Sequence, residues 1–119
     1  EKDWHAEVLT IFKFVRSKVR YVYDAYGVDQ YSHPIRTLQM RSGDCDYAAI
    51  ILGSMLQAVG YEVRLRVIQT KDSEEWNHIY LLVRLGDRWW PLDASVNHPA
   101  GWEAPKEMVR NVRDYEVPV

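Results

Sequence analysis

The stretch His78-Ile79-Tyr80-Leu81-Leu82-Val83-Arg84-Leu85-Gly86-Asp87-Arg88-Trp89-Trp90-Pro91-Leu92-Asp93 decides the fold. Its runs Ile79 to Leu85 and Arg88 to Leu92 read as strands, and Gly86-Asp87 between apolar runs is a hairpin signal. A two-residue turn pairs Leu85 with Arg88, which puts Asp93 opposite Tyr80 and makes His78 its diagonal neighbour. Diagonal side chains share a face with Cα atoms roughly 7 Å apart, within reach of an imidazole and a carboxylate. The register therefore predicts His78 and Asp93 on one side, together with Tyr80, Leu82 and Trp89. A three-residue loop would flip the parity and separate them. The opposite face carries Ile79, Leu81, Val83, Trp90 and Leu92, so the sheet needs cover on both sides.

Upstream, Val63, Leu65 and Val67 alternate with Glu62, Arg64 and Arg66, the two-residue period of a half-exposed strand. A polar loop, Lys71 to Trp76, joins it to the hairpin. Before it, Asp44 to Val59 is apolar on nearly every side and Gly60 supplies a stop, which predicts a helix in the middle of the domain. Val8, Ile11, Phe12, Val15 and Val19 give an amphipathic helix from Trp4 to about Arg20, with Asp3 as its N-cap. Tyr21 to Ser32 reads as a loop with a short strand at most, ending before His33-Pro34. The tail from Asn97 carries three of the five prolines; it is expected to wrap the surface, with a short helix near Lys106 to Val112.

The chain has 119 residues, 47% of them hydrophobic, enough for one core and too few for two ordinary domains, so residues 1–119 are read as one domain. A net charge of -2 supplies no footprint for nucleic acid or an anionic membrane surface. No apolar stretch approaches the roughly 18 residues of a membrane span, and Glu1-Lys2-Asp3-Trp4-His5 lacks the core of a signal peptide. A single cysteine forms no internal disulfide, and an active thiol is best kept in a reducing compartment, which favours the cytoplasm.

That cysteine, Cys45, stands at the mouth of the apolar helix in Arg41-Ser42-Gly43-Asp44-Cys45-Asp46-Tyr47. The unpaired N–H groups and positive dipole end of a helix N-terminus favour thiolate over thiol. Asp44 and Asp46 oppose this with their own charges, although both also suit the dipole and the cap. If the N-terminus of this helix meets the His78 face, Cys45 reaches the imidazole, one ring nitrogen takes the thiol proton and the other donates to Asp93. Cys45, His78 and Asp93 are thus the candidate nucleophile, base and orienting acid of a cysteine acyl-transfer site. His5, His33 and His98 have no ligand spacing with one another or with Cys45, and no cofactor fingerprint appears, so neither metal nor cofactor is expected. Trp76, Trp89, Trp90 and Trp102 are read as core and rim packing.

Gly43-Asp44-Cys45 opening a helix that ends at Val59-Gly60-Tyr61, then Asn77-His78 at a strand start, then Trp89-Trp90-Pro91-Leu92-Asp93-Ala94-Ser95, resembles the transglutaminase-like superfamily of cysteine acyl-transfer enzymes, in the short microbial and prophage form related to papain-like proteases. The resemblance runs from about Leu38 to Ser95. It implies an α+β fold, with a leading helix and a cysteine-bearing helix packed on an antiparallel sheet, and a catalytic triad of Cys45, His78 and Asp93. Animal transglutaminases carry tryptophan where this chain has Asp46 and use calcium, so their cross-linking route is not expected. Papain-like enzymes place an oxyanion-hole glutamine before the nucleophile, and Gln39 stands six residues ahead of Cys45. Its amide, with the backbone N–H of Cys45, would stabilise a tetrahedral oxyanion.

The expected function is cysteine-dependent acyl transfer on amide bonds of a peptide or protein substrate, as peptidase, deamidase or transamidase, through a thioester. The alternative is a binding or structural module, such as a phage or envelope component, that keeps the fold without turnover. The sequence leaves substrate and oligomeric state open.

Overall fold

The computed structural model describes residues 4–25, 42–96 and 98–117, the side chains of 19–25 and 42–46 excepted. Two helices, α1 (Trp4–Ala25) and α2 (Ser42–Ala58), pack on an antiparallel sheet of β1 (Val63–Thr70), β2 (His78–Leu85), β3 (Arg88–Leu92) and β4 (Val109–Glu116), in the order β3-β2-β1-β4. This is the α+β architecture expected.

The hairpin has the register that its turn dictates, with Leu85 opposite Arg88 and Leu81 opposite Leu92. Gly86 takes a φ of 67°, as the first central residue of a primed turn requires, a conformation glycine adopts without a Cβ clash. The parity separates two clusters. Leu81, Val83 and Leu92 meet Val8, Phe12 and Val15 of α1 and Ala48, Leu52 and Leu56 of α2 in the main core. Tyr80 and Leu82 face the other way, joining Ile68 of β1 and Ala104, with Trp89, Trp102 and Val109 packed against them. Each large aliphatic or aromatic side chain buried in the main core contributes about 1.5–3 kcal/mol.

Helix α2 ends as its glycine predicts. Gly60 has a φ of 102°, its N–H donates to the Gln57 carbonyl and that of Tyr61 to the Leu56 carbonyl, both at 3.0 Å, the paired bonds of a Schellman stop. The helix is one-sided rather than enclosed all round: Ala48, Leu52 and Leu56 are buried while Tyr47, Ile50 and Val59 are exposed. Helix α1 runs to Ala25, so Tyr21 to Ala25, expected as loop, continue the helix; the rest of that expected loop and the proposed cap Asp3 lie outside the described residues.

The tail differs most from expectation. Only Lys106–Met108 form a short 3-10 turn, and Val109–Glu116 form strand β4 along β1 rather than a helix. Its sequence, Val-Arg-Asn-Val-Arg-Asp-Tyr-Glu, has charged and polar groups on both faces and is exposed almost throughout. The two-residue period that marks a half-buried strand is therefore absent, while the charges suit an outermost strand.

Candidate active site

His78 opens β2 and Asp93 follows directly on β3, and the diagonal relation joins them: His78 Nε2 lies 2.6 Å from Asp93 Oδ2, with both side chains buried. A carboxylate only accepts hydrogen bonds, so an ionised Asp93 selects the tautomer in which Nε2 donates.

Neighbours fix each member of the pair. Ser95 donates to the other carboxylate oxygen, Asp93 Oδ1, from its hydroxyl at 2.6 Å and from its backbone N–H at 3.2 Å. Asn77, directly before the histidine, is tied to the end of β1: its Nδ2 donates to Thr70 Oγ1 at 2.8 Å and its Oδ1 accepts from the Thr70 N–H at 3.0 Å. Its own N–H donates to the Ile68 carbonyl at 3.1 Å. The strand start that carries His78 is thereby tied to β1 through both the side chain and the backbone of Asn77.

Tyr80 stands beside the imidazole on the same face, ring centroids 5.8 Å apart. Its hydroxyl donates to Glu103 Oε2 at 2.6 Å, and Arg66 donates to Glu103 at 3.2 Å and, through a two-pronged contact of 2.7 and 2.9 Å, to Asp114. Burial, reinforced by the Glu103 carboxylate, holds the Tyr80 hydroxyl in its protonated form above the ordinary phenol range. The Arg66 hydrogen bond holds the Asp114 carboxyl below its usual range, and the same contact raises Arg66.

Cys45 is the fourth residue of α2, in its first turn; its side chain and the whole of Gln39 lie outside what the structure describes. The backbone fixes which end of the sheet that turn occupies. Helix α2 delivers the chain to Val63, which pairs with Val83, so it runs in the same direction as β2. Gly53 lies against Leu81, where an added Cβ would stand 3.2 Å from Leu81 Cδ1. Counting back from that contact, eight helical residues to Cys45 rise about 12 Å and three strand residues to His78 rise about 10 Å. The first turn of α2 and the start of β2 thus lie at one end of the molecule.

The body of α2, however, covers the Leu81 face and not the His78 face. Trp102, Ala104 and Val109 cover the latter instead. Two of the remaining histidines pack against tryptophan rings. His98 stacks on Trp102 at 4.0 Å and His5 meets Trp90 edge-on at 5.2 Å, while His33 lies outside the described residues. Trp89, Trp90 and Trp102 are half-buried, and Trp76 is exposed beneath the Arg113 guanidinium. Among the described residues no group of three possible metal ligands lies together, and no helix is long and apolar enough to cross a membrane.

The supporting roles of Ser95, Asn77 and Glu103 were not read from the sequence. For Ser95 a signal existed, since an aspartate side chain commonly accepts the backbone N–H two residues on, as Asp93 does from Ser95. For Glu103 and Asp114 none existed, because their contacts with Arg66 depend on the unforeseen strand β4 and on the segment leading to it.

Among known proteins, the chain is similar to the N-malonyltransferase FDB2 of Gibberella moniliformis, with 35% identity over an alignment of 71 positions that covers 47% of this chain and 21% of that protein. The same protein from strain M3125 / FGSC 7600 matches to the same extent. The chain thus spans about a fifth of the length of these relatives. No solved structure matches it at comparable significance. The matching family model and the relatives' name agree on acyl transfer in general. With the family model matching residues 1–94, across both helices and the hairpin that holds the histidine and aspartate, the chain belongs to the transglutaminase-like superfamily.

Proposed function

We propose that the protein is a cysteine-dependent acyltransferase in which Cys45 is the nucleophile, His78 the base and Asp93 the group that orients the base. The buried contact of 2.6 Å between His78 and Asp93 carries this reading. Sequestering an imidazole and a carboxylate from water costs several kcal/mol, and a pair of apolar residues would hold the same strands together without that penalty. The shared end of the molecule for the first turn of α2 and the start of β2 supports Cys45 as the third member.

In the proposed reaction the Cys45 proton passes to His78 Nδ1, and the thiolate forms a bond to the acyl carbonyl carbon. The oxyanion is met by the Cys45 backbone N–H and the Gln39 amide. Collapse breaks the bond to the leaving group, which takes the proton from the imidazolium, and a thioester remains. An amine then attacks the thioester, gives its proton to His78, and leaves as an amide while the thiol is restored. The relatives' name, an N-malonyltransferase, favours nitrogen as the acceptor; with water in its place the same site is a peptidase or deamidase.

The test is intact-mass spectrometry after incubation with a malonyl thioester and an acid quench. An acyl adduct is expected on the native chain, absent in Cys45→Ala, and discharged faster when a primary amine is added. No adduct, or an equal adduct in Cys45→Ala, would overturn the proposal in favour of a binding module without turnover. An adduct lost at the same rate with and without amine would assign hydrolysis.

A further inference from the structure

On the His78 side of the sheet, a hollow of about 280 Å³ opens between β4 and the segment leading into it. Ile68, Tyr80 and Ala104, all buried, form its floor, and Lys106 and Arg110, both exposed, stand among its lining residues at the rim. The charges there are unevenly matched. Arg66 is taken up by Asp114 and Glu103, and Glu103 also holds the Tyr80 hydroxyl. Among the described residues neither Lys106 nor Arg110 has a carboxylate within ion-pair distance. Arg110 is nonetheless anchored, donating from Nη2 to the Lys71 carbonyl at 2.6 Å, which leaves most of its five N–H donors for a ligand.

The hollow adjoins the histidine. Ile68 pairs with His78 on one side and with Val112 on the other, and Tyr80 flanks the imidazole while lining the hollow. Two strand spacings, about 10 Å, separate the row of Val112 from that of His78.

We infer that this hollow is the acyl-donor subsite: it takes a substrate whose apolar body lies over Ile68 and Tyr80 and whose far end is a carboxylate held by Lys106 and Arg110. The buried floor fits an aliphatic chain, and a carboxylate matches the two cations without displacing an existing partner. The strand spacing sets the scale of the length, since β4, which carries Arg110, runs about 10 Å from the strand that carries His78. This inference rests on the acyltransferase reading, and its test needs no turnover.

The full chain carrying Cys45→Ala is titrated calorimetrically with monomethyl suberate, an extended aliphatic chain with a carboxylate at one end and an ester at the other, and with its uncharged dimethyl ester. The charged probe is expected to bind at least several-fold more tightly. Lys106→Gln and Arg110→Gln should each weaken it roughly threefold, and together about tenfold, as expected of exposed ion pairs, without affecting the dimethyl ester. Lys106→Arg and Arg110→Lys, which keep the charge, should retain binding and guard against a folding defect. Equal binding of the two probes, or undiminished binding in the double glutamine variant, overturns the subsite. Failure of thiol acylation in the native chain would overturn the catalytic reading while leaving this binding result standing.

Discussion

The two faces of the sheet are built from alternate residues of the same strands, yet they use different physics. On one, Leu81, Val83 and Leu92 meet helical side chains in a continuous apolar layer. On the other, His78 and Asp93 lie beside Tyr80, whose hydroxyl leads through Glu103 to Arg66 and Asp114. The first face depends on how much surface it hides; the second adds to its own apolar cluster of Ile68, Leu82 and Ala104 a set of hydrogen bonds that depend on direction, because each has a donor that must point correctly. A single β2 strand therefore carries an apolar set and a hydrogen-bonded set one residue out of step.

The sharpest way to break this comparison is at the chemical face. Cys45→Ala and His78→Ala are each expected to lower acyl-transfer kcat/KM by about 10⁴-fold or more, with little change in the urea midpoint for Cys45→Ala. Residual activity in either variant within tenfold of native would remove the division of labour. On the covered face, Leu81→Ala should cost about 2–5 kcal/mol in urea unfolding and leave the thiol's alkylation rate unchanged in the folded fraction.

Ser95→Ala sharpens the comparison. It removes a hydroxyl from a buried carboxylate, so stability is expected to fall by about 1–3 kcal/mol. If Ser95 aims Asp93, kcat should fall more than KM changes, and Ser95→Thr should restore part of it. Asp114→Asn is the smallest, within about 1 kcal/mol. Because Arg66 holds the folded Asp114 carboxyl below its usual range, the contribution is complete above the ordinary aspartate pKa, near 4, and is lost as pH falls through the lower folded value. Urea midpoints of native and variant should therefore differ at pH 6 and converge in strong acid; a constant gap would disprove the linkage.

The hairpin was legible because two short-range facts agreed: a pair of apolar runs of strand length and the two-residue Gly-Asp turn between them. Their register alone predicted that His78 and Asp93 would meet, although fifteen residues separate them. The end of α2 was legible for a similar reason, since Gly60 supplies a backbone conformation that other residues rarely adopt. Strand β4 was not legible. Val109 to Glu116 hides too little to leave a pattern, and its place is set by pairing with β1, about forty to fifty residues away. Everything that depends on it was hidden too, including the Arg66 contacts and the hollow beside His78. The one-sidedness of α2 was missed because Tyr47 and Ile50 are apolar in composition but exposed in the fold.

The clamp between Asn77 and Thr70 has a consequence for how such a protein can diversify. It closes the chain on itself across the loop from Lys71 to Trp76, with Met108 holding the Lys71 N–H as a further strut. The residues between the clamped pair reach the imidazole that follows through the clamp itself, to which Asp72 contributes by accepting from the Thr70 hydroxyl. Insertions or exchanges at the loop tip that keep Asp72 are then expected to retune what the surface meets while the base keeps its aim, and a graft between Asp72 and Glu75 is a sensible first place to redesign recognition.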